Sequence, residues 1–256
     1  MDLKTAVPII SAVIALVSAF ACAIISLYGQ RRIAILQNQL AAERDLRNTE
    51  AKAAAVLAKY RDPLLRSAHS LQSRCYNIVQ QGFLRIYYHK SDRDKEYAKN
   101  NTLYVIAEYL GWVEVLRREV QFLDLGNVES TRHLQELLHD VTSTFLTDGL
   151  PLNFRLFKGE QRAIGELMLL ERNRGEGTYF DCIGFAAFSN QVERDEFSHW
   201  FVRLVESIEA AANAPEPDHS RLIQLQHRLI ELIDFLDPDH TRVPKGRDKI
   251  KYVQRG

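Results

Sequence analysis

The sequence lacks an excess of charge of either sign, since 33 lysines and arginines balance 33 aspartates and glutamates among 256 residues. This balance argues against a protein that coats nucleic acid with its whole surface. Cysteine is scarce as well, and three widely spaced cysteines cannot form the disulfide framework of a small secreted domain. Seven prolines and 12 glycines are too few for a collagen-like or low-complexity chain. What remains is an ordinary globular domain with appendages.

Charged side chains are also missing from one whole segment, Thr5 to Gln30, which is apolar or small almost throughout. A helix rises about 1.5 Å per residue, so about 20 apolar residues span a bilayer core. The segment therefore predicts a transmembrane helix over residues 6–28, after an extracytoplasmic N-terminus of residues 1–5. A cleaved signal peptide is the alternative, because Ala19-Phe20-Ala21 resembles a cleavage site. The apolar run, however, extends beyond the roughly 7–15 residues of a signal peptide's hydrophobic core.

Basic residues at the two ends of this segment predict its orientation. Arg31 and Arg32 follow the apolar run directly, whereas Lys4 stands beside Asp2 before it. Because basic residues are retained on the cytoplasmic side, the N-terminus is expected outside and the residues from Arg31 onward in the cytoplasm. The sequence thus predicts a single-pass protein of the plasma or inner membrane.

Beyond the membrane segment, the pattern predicts helices almost everywhere. Residues 29–62 are rich in strong helix formers and predict a juxtamembrane helical stalk. Asp62-Pro63 has the capping residue and the proline that often begin a helix. Residues 63–236 carry apolar side chains at intervals of three and four, which predicts a cytoplasmic bundle. The predicted fold class is all-α: one transmembrane helix, a stalk and a multi-helix bundle.

The predicted helices of the bundle are separated by charged, glycine-containing or proline-containing segments. They cover about residues 63–88, 95–123, 130–147, 154–172, 193–212 and 220–236. The segment from Gly175 to Asn190 is ambiguous, because its short apolar runs fit a strand as well as a buried helix.

Residues 237–256 predict a basic flexible tail. Six lysines and arginines stand against one aspartate after Thr241. Each basic residue near an anionic lipid surface contributes about 1 kcal/mol of attraction. The candidate lipid contacts are therefore Arg31 and Arg32 beside the membrane helix and, in the tail, Arg242, Lys245, Arg247, Lys249, Lys251 and Arg255. A solvated tail without a ligand is the alternative, and binding to a specific nucleic acid is not expected because only one aromatic residue is present to stack on a base.

Two Glu-x-x-His motifs, Glu136–His139 and Glu196–His199, are the sharpest candidates for a metal site. Ferritin-like di-iron proteins carry such a motif on each of two helices. Residues advance about 100° each around a helix, which puts Glu136, His139, Glu196 and His199 on the outer faces of their helices. Di-iron ligands must instead project into the bundle core. The sequence thus favours a protein without a cofactor or catalytic set, with a di-iron-like enzyme as the alternative.

A recognition surface is the remaining candidate. Arg155, Glu160, Arg162 and Glu166 lie across a loop-to-helix junction and suit a polar groove or an ion-pair network between helices; a solvated helix face is the alternative. No phosphate-binding glycine loop or nucleophile elbow is present. A small residue at every fourth position of the membrane segment would let two such helices approach closely. The sequence predicts a scaffold or signalling adaptor that binds another protein or itself.

Overall fold

The computed structural model describes residues 3–121, 129–174 and 177–251. These residues are mostly helical and contain one two-stranded sheet. The helices are α1 (Leu3–Gln81), α2 (Phe83–Tyr87), α3 (Asp92–Gln121), α4 (Glu129–Leu146), α5 (Lys158–Leu167), α6 (Phe185–Ser189), α7 (Asp195–Asn213) and α8 (Ser220–Leu236). Between α5 and α6 lie the strands β1 (Leu169–Arg174) and β2 (Gly177–Cys182). The chain divides into two compact units, one up to Lys52 and one from Ala53 onward.

The first unit contains a candidate membrane-spanning helix. Within the described residues, the stretch Ser18–Asn48 of α1 is long and apolar enough to cross a membrane. It overlaps the predicted segment over residues 18–28; residues 6–15 are helical, but their side chains lie outside the described set. Every side chain described between residues 16 and 48 is exposed, including that of Phe20, which is 68% accessible.

The second unit has one hydrophobic core, to which all eight helices contribute buried side chains. On α4 the buried apolar residues recur at intervals of three and four, as the sequence predicts: Leu134, Leu137, Val141 and Phe145. Helix α8 has the predicted bounds, and α4 ends within one residue of its predicted end. Hydrophobic periodicity was therefore sufficient to locate these helices.

Helix α1 differs from its predicted division at Asp62-Pro63, because it continues through Pro63 to Gln81. A proline inside a helix removes one backbone hydrogen bond and costs about 3 kcal/mol. Leu64 and Leu65 next to it are almost fully buried, and each buried leucine contributes roughly 1.5–3 kcal/mol. Packing therefore offsets the local cost of the proline. The break comes instead at Gly82, whose φ of 63° is left-handed and separates α1 from α2.

The described residues are mostly helical, as predicted, but the β-hairpin adds two strands to the all-α prediction and corrects the predicted helix over 154–172. Helix α5 ends at Leu167, and β1 pairs antiparallel with β2, with Leu169 opposite Cys182. The hairpin lies close to α3 at Gly111, where a Cβ atom would stand 2.7 Å from Met168 Cβ and 2.9 Å from Cys182 Sγ. The fully buried Met168 thus packs the junction between α5 and β1 against Gly111 of α3. Such a contact between distant residues has no signature in local periodicity.

Composition predicted a flexible tail over residues 237–256. The described part of it, residues 237–251, is instead anchored on the domain. Val243 and Ile250 are buried. Gln226 on α8 donates to the carbonyl of Asp248 at 2.8 Å and accepts from the Ile250 amide at 3.2 Å. The net charge of the segment gives no indication of these buried apolar residues and main-chain hydrogen bonds. Residues 252–256, with Arg255, lie outside the described residues.

Candidate functional site

A cavity of about 600 Å³ lies between α1 and residues 242–245 of the C-terminal segment. We call it the basic groove. Its polar lining consists of Asp62, Arg66, His69, Ser70, Arg242 and Lys245. Its apolar lining consists of Leu65, Val243 and Pro244. The groove brings together two segments that are more than 170 positions apart in the chain.

Helical spacing places the α1 side of the groove. Asp62, Arg66, His69 and Ser70 are separated by four, three and one positions, so they share one face of the helix. The neighbouring Ala68 is fully buried in the core. One face of α1 thus packs into the domain while the adjacent face lines the groove.

Asp237, just after α8, fixes the C-terminal segment that forms the other side. Its buried carboxylate accepts hydrogen bonds from the backbone amides of Thr241 (3.1 Å), Arg242 (3.1 Å) and Val243 (2.9 Å). It also accepts from Arg247 Nη2 at 2.5 Å. One carboxylate therefore fixes the backbone of the first groove residues, Arg242 and Val243.

A left-handed turn at Gly246, with φ of 77°, completes the groove. The carbonyl of Gly246 accepts a hydrogen bond from Gln72 Nε2 of α1 at 2.8 Å. A Cβ atom at Gly246 would lie 3.4 Å from His69 Nε2, so the glycine suits both the backbone angle and the close approach. The turn holds Lys245 beside α1.

Positive charge exceeds negative charge in the groove. The carboxylate of Asp62 is paired with Arg242, with 2.7 Å between Oδ1 and Nε. Among the side chains that the structure describes, no carboxylate pairs with Arg66 or Lys245. The groove therefore carries three cationic side chains against one carboxylate.

His69 is the titratable group at the centre of the groove lining. Burial lowers the pKa of His69 below its usual value; the hydrogen bond to the Lys245 carbonyl opposes this shift, and the positive charge of Arg247 adds to it. The imidazole is therefore mainly neutral at pH 7. Its one N–H is donated to the Lys245 carbonyl, so the imidazole supports the groove wall without adding a fourth charge.

A second cavity of about 240 Å³ lies among α3, α4 and α5, and we call it the α3–α5 pocket. Its buried carboxylate, Glu114, accepts from Arg117 Nε at 2.7 Å and from Arg118 Nε at 2.9 Å. Burial alone would raise the pKa of Glu114, but the hydrogen bonds from Arg117 and Arg118 outweigh it and lower the pKa. Glu114 thus stays ionised and paired, which makes it a poor general base at neutral pH.

The four metal candidates do not form a site in the described residues. Glu136 and His139 lie on α4 and Glu196 and His199 on α7, and all four side chains are exposed. Glu136 Oε2 is 3.6 Å from His133, while His139 Nε2 is 3.1 Å from Ser143 Oγ. No group of three or more His, Cys, Asp or Glu side chains that could hold a metal ion occurs in the part of the chain that the structure describes.

The lipid-contact candidates separate into different environments. Arg31 and Arg32 are exposed in the first unit. In the C-terminal segment, Arg242 and Lys245 line the basic groove. Two others are paired within the domain: Arg247, only 8% exposed, with Asp234 and Asp237, and Lys249 with Glu231 at 2.7 Å. Lys251 is exposed, and Arg255 lies outside the described residues.

The interaction candidates form two small ion-pair clusters. Arg155 pairs with Asp148 at 2.5 Å and lies over the Phe157 ring, while Glu160 accepts from Arg203 at 2.8 Å. Arg203 also lies over the Phe157 ring, 4.9 Å from its centroid. In the second cluster, Arg162 donates to Glu166 at 3.2 Å, and Glu166 also approaches Arg118. The half-exposed Phe157 is therefore flanked by two arginines.

Sequence reasoning did not assign Arg66, His69 or Ser70 to a site. A signal was present, since Arg66 and His69 are three positions apart on a helix and point away from its apolar face. Their proximity to Lys245 could not be predicted from the sequence, because Lys245 is far away in the chain. Comparison with protein-family models, curated proteins and solved structures finds no match.

Proposed function

We propose that this chain is a single-pass membrane protein whose residues 6–28 cross the bilayer and whose second unit is a protein-interaction domain in the cytoplasm. The observation that carries the proposal is the uncharged run from Thr5 to Gln30 on a helix whose described side chains are exposed. Leaving a large apolar side chain in water rather than burying it costs roughly 1.5–3 kcal/mol. A lipid bilayer is the environment that would bury all of them at once.

A cleaved signal sequence is the alternative for the same helix, because a signal sequence meets the same test of length and composition. Continuity of the apolar run past Ala21 to Leu27 supports an anchor instead. The pair Arg31 and Arg32 directly after the run supports the orientation with the C-terminal domain in the cytoplasm.

The surface around Phe157 supports an interaction role for the domain. Phe157 is an exposed apolar side chain, and Arg155 and Arg203 flank its ring. Aromatic residues and arginine are enriched in protein interfaces. Each guanidinium has five N–H donors, so Arg155 and Arg203 have donors for a partner beside their pairs with Asp148 and Glu160.

The membrane part of the proposal is tested by alkaline carbonate extraction and N-terminal sequencing of the full chain from native membranes. We expect the chain to stay in the membrane pellet and to begin at its own N-terminus. A mature chain that begins at Cys22 would show cleavage after Ala21 and would contradict the anchor. Impermeant labelling of tags at either end tests the orientation, with labelling of the N-terminal tag alone expected.

The interaction part is tested by crosslinking in native membranes followed by mass spectrometry. We expect a stoichiometric crosslinked partner, or a second copy of the chain, that is lost in Phe157→Ser. The matched control is Ile86→Ser, another exposed apolar residue, located on α2. A crosslinked product that is unchanged in Phe157→Ser would contradict the assignment of this surface, and a monomer without any partner would contradict the interaction role.

A further inference from the structure

We propose that the basic groove binds a phosphate monoester group. The groove is separate from the Phe157 surface, and its lining residues all belong to the second unit. The inference therefore does not depend on the membrane anchor or on the interaction surface. It depends on the charge, the chemistry and the anchoring of the lining residues.

The charge distribution of the C-terminal segment is the first argument. Outside the groove, two cations of this segment are neutralised within the domain, Arg247 by Asp234 and Asp237 and Lys249 by Glu231, while Lys251 is exposed. Inside the groove, Arg242 is paired with Asp62, but within the described residues Arg66 and Lys245 have no carboxylate partner. Two unpaired cations that share one groove repel each other unless an anion lies between them.

The chemistry of the lining is the second argument. The groove offers a guanidinium, an ammonium and a hydroxyl from Arg66, Lys245 and Ser70. These groups donate hydrogen bonds, and phosphate oxygens are strong acceptors. Arginine fits the geometry of phosphate through its planar fork, and lysine adds a point charge. Leu65 and Val243 lower the local polarity, which strengthens such charge-assisted contacts.

Anchoring of the groove walls is the third argument. Lys245 is held by its carbonyl contact with His69 and by the turn at Gly246, whose carbonyl is bound by Gln72. Arg242 is held through its backbone amide by Asp237. A backbone that is fixed before the ligand arrives has less conformational entropy to lose on binding, which favours the binding of a small anion.

The phosphate monoester has two sources, a lipid headgroup that carries one, such as phosphatidic acid, and a soluble phosphorylated molecule. Both present the same dianionic or monoanionic group to Arg66 and Lys245. The experiment below distinguishes them by the composition of the bilayer that surrounds the protein.

The test is calorimetric titration of the full chain, reconstituted in nanodiscs of neutral phosphatidylcholine, with phenyl phosphate. Benzoate serves as the carboxylate of similar shape. We expect saturable binding of phenyl phosphate and binding of benzoate at least about tenfold weaker, because a phosphate offers more charge and more acceptor oxygens. Equal affinity for the two probes would overturn the assignment to phosphate esters, and the absence of saturable phosphate binding would overturn the site.

Matched variants locate the binding. The double variant Arg66→Gln with Lys245→Gln is expected to weaken phenyl phosphate binding at least about tenfold, since it removes two charge-assisted contacts. The control, Arg93→Gln with Lys251→Gln, removes two exposed charges outside the groove and is expected to bind as the unaltered chain does. Circular dichroism verifies that both variants are folded. Equal binding by the groove variant and the control would overturn the proposal.

The variant Asp62→Asn tests the same site by an expected increase in phosphate affinity. This variant removes the single carboxylate of the groove and releases Arg242 from its ion pair. Exposed pairs of this kind contribute about 0.2–1 kcal/mol, so we expect phenyl phosphate to bind about 1.4-fold to fivefold more tightly. Weaker binding in this variant would contradict the electrostatic basis of the site.

A second nanodisc preparation that contains phosphatidic acid distinguishes the source. If headgroups of the protein's own bilayer fill the groove, phenyl phosphate binding is lost in these nanodiscs but persists in neutral ones. If the ligand is a soluble molecule, the titration is the same in both. Either result supports a phosphate site, since both require binding in neutral nanodiscs that the groove variant weakens at least about tenfold.

Discussion

Arg221 on α8 donates a hydrogen bond to the backbone carbonyl of Phe145 near the end of α4, with 3.0 Å between Nη1 and the oxygen. The side chain of Arg221 is only 2% exposed. Its guanidinium donates to five further carbonyls, those of Thr144, Thr147, Leu150, Pro151 and Asn153. The last carbonyls of a helix have no partner within the helix, so this arginine closes α4 from a distant element.

Replacing Arg221 by leucine is expected to lower the free energy of unfolding by about 3–5 kcal/mol, because buried carbonyls lose their donor. The exposed Arg85 on α2 provides the control, and Arg85→Leu is expected to change stability by less than about 0.5 kcal/mol. Chemical denaturation of the full chain in detergent, followed by circular dichroism, measures both. Similar stability for the two variants would show that the carbonyls are satisfied in another way.

Asp237 predicts a loss of stability in acid. Burial alone would raise the pKa of Asp237, but backbone hydrogen bonds from Val243, Arg242 and Thr241 outweigh it and lower the pKa from 3.8 to about 2. A carboxyl group with a depressed pKa stabilises the fold fully above its unfolded pKa, and this contribution is lost as pH falls from about 4 to about 2. We expect the C-terminal segment to detach in that range.

Hydrogen exchange of the Thr241, Arg242 and Val243 amides measures this detachment. In the unaltered chain, protection of these amides should fall between about pH 4 and pH 2. In Asp237→Asn it should already be low at pH 6, because an amide replaces a charged acceptor. Equal protection in both chains at pH 6 would contradict the anchoring role of Asp237.

Gly246 predicts an effect of backbone conformation. Alanine at this position would hold a left-handed φ and place Cβ 3.4 Å from His69 Nε2, so we expect Gly246→Ala to destabilise the fold by about 1–2 kcal/mol. The control is Gly159→Ala in α5, where a Cβ would meet nothing within 4 Å and helix propensity favours alanine. Thermal unfolding midpoints that move in opposite directions for the two variants are expected, whereas a shift of both in the same direction would contradict the argument.

The cysteines predict a pattern of chemical labelling. Burial raises the pKa of the Cys75 thiol to about 12 and raises that of Cys182 as well, so neither supplies thiolate at pH 8. Cys22 is exposed on α1. In detergent-free lipid nanodiscs, the proposed membrane position should shield Cys22 from a charged maleimide, and urea treatment should release Cys75 and Cys182 for labelling. Rapid labelling of Cys22 in nanodiscs would contradict the membrane segment.

Local patterns predicted a substantial part of the fold. The apolar spacing of Leu134, Leu137 and Val141 was sufficient to place α4, and α8 was located to the residue. Both helices bury one apolar stripe, and the spacing of apolar residues in the sequence is sufficient to identify such a stripe. The outward position of Glu136 and His139 followed from their angle around the helix axis relative to this apolar stripe.

The predictions that failed concern places where distant contacts outweigh local preference. Pro63 does not end α1, because the two residues that follow it, Leu64 and Leu65, are buried in the core. The hairpin replaces the end of a predicted helix where Met168 packs against Gly111. The basic composition after Thr241 concealed the anchors Val243 and Ile250.

The sequence by itself determined the uncharged segment from Thr5 to Gln30, the mostly helical character of the domain and the bounds of its most regular helices. These properties depend on residue type and short-range spacing, which the order of residues contains. Only the tertiary structure decided that Arg66 and Lys245 share a groove while Arg247 and Lys249 are neutralised. The identity of a charged residue is local information, but its partner is set by packing between segments that are far apart in the chain.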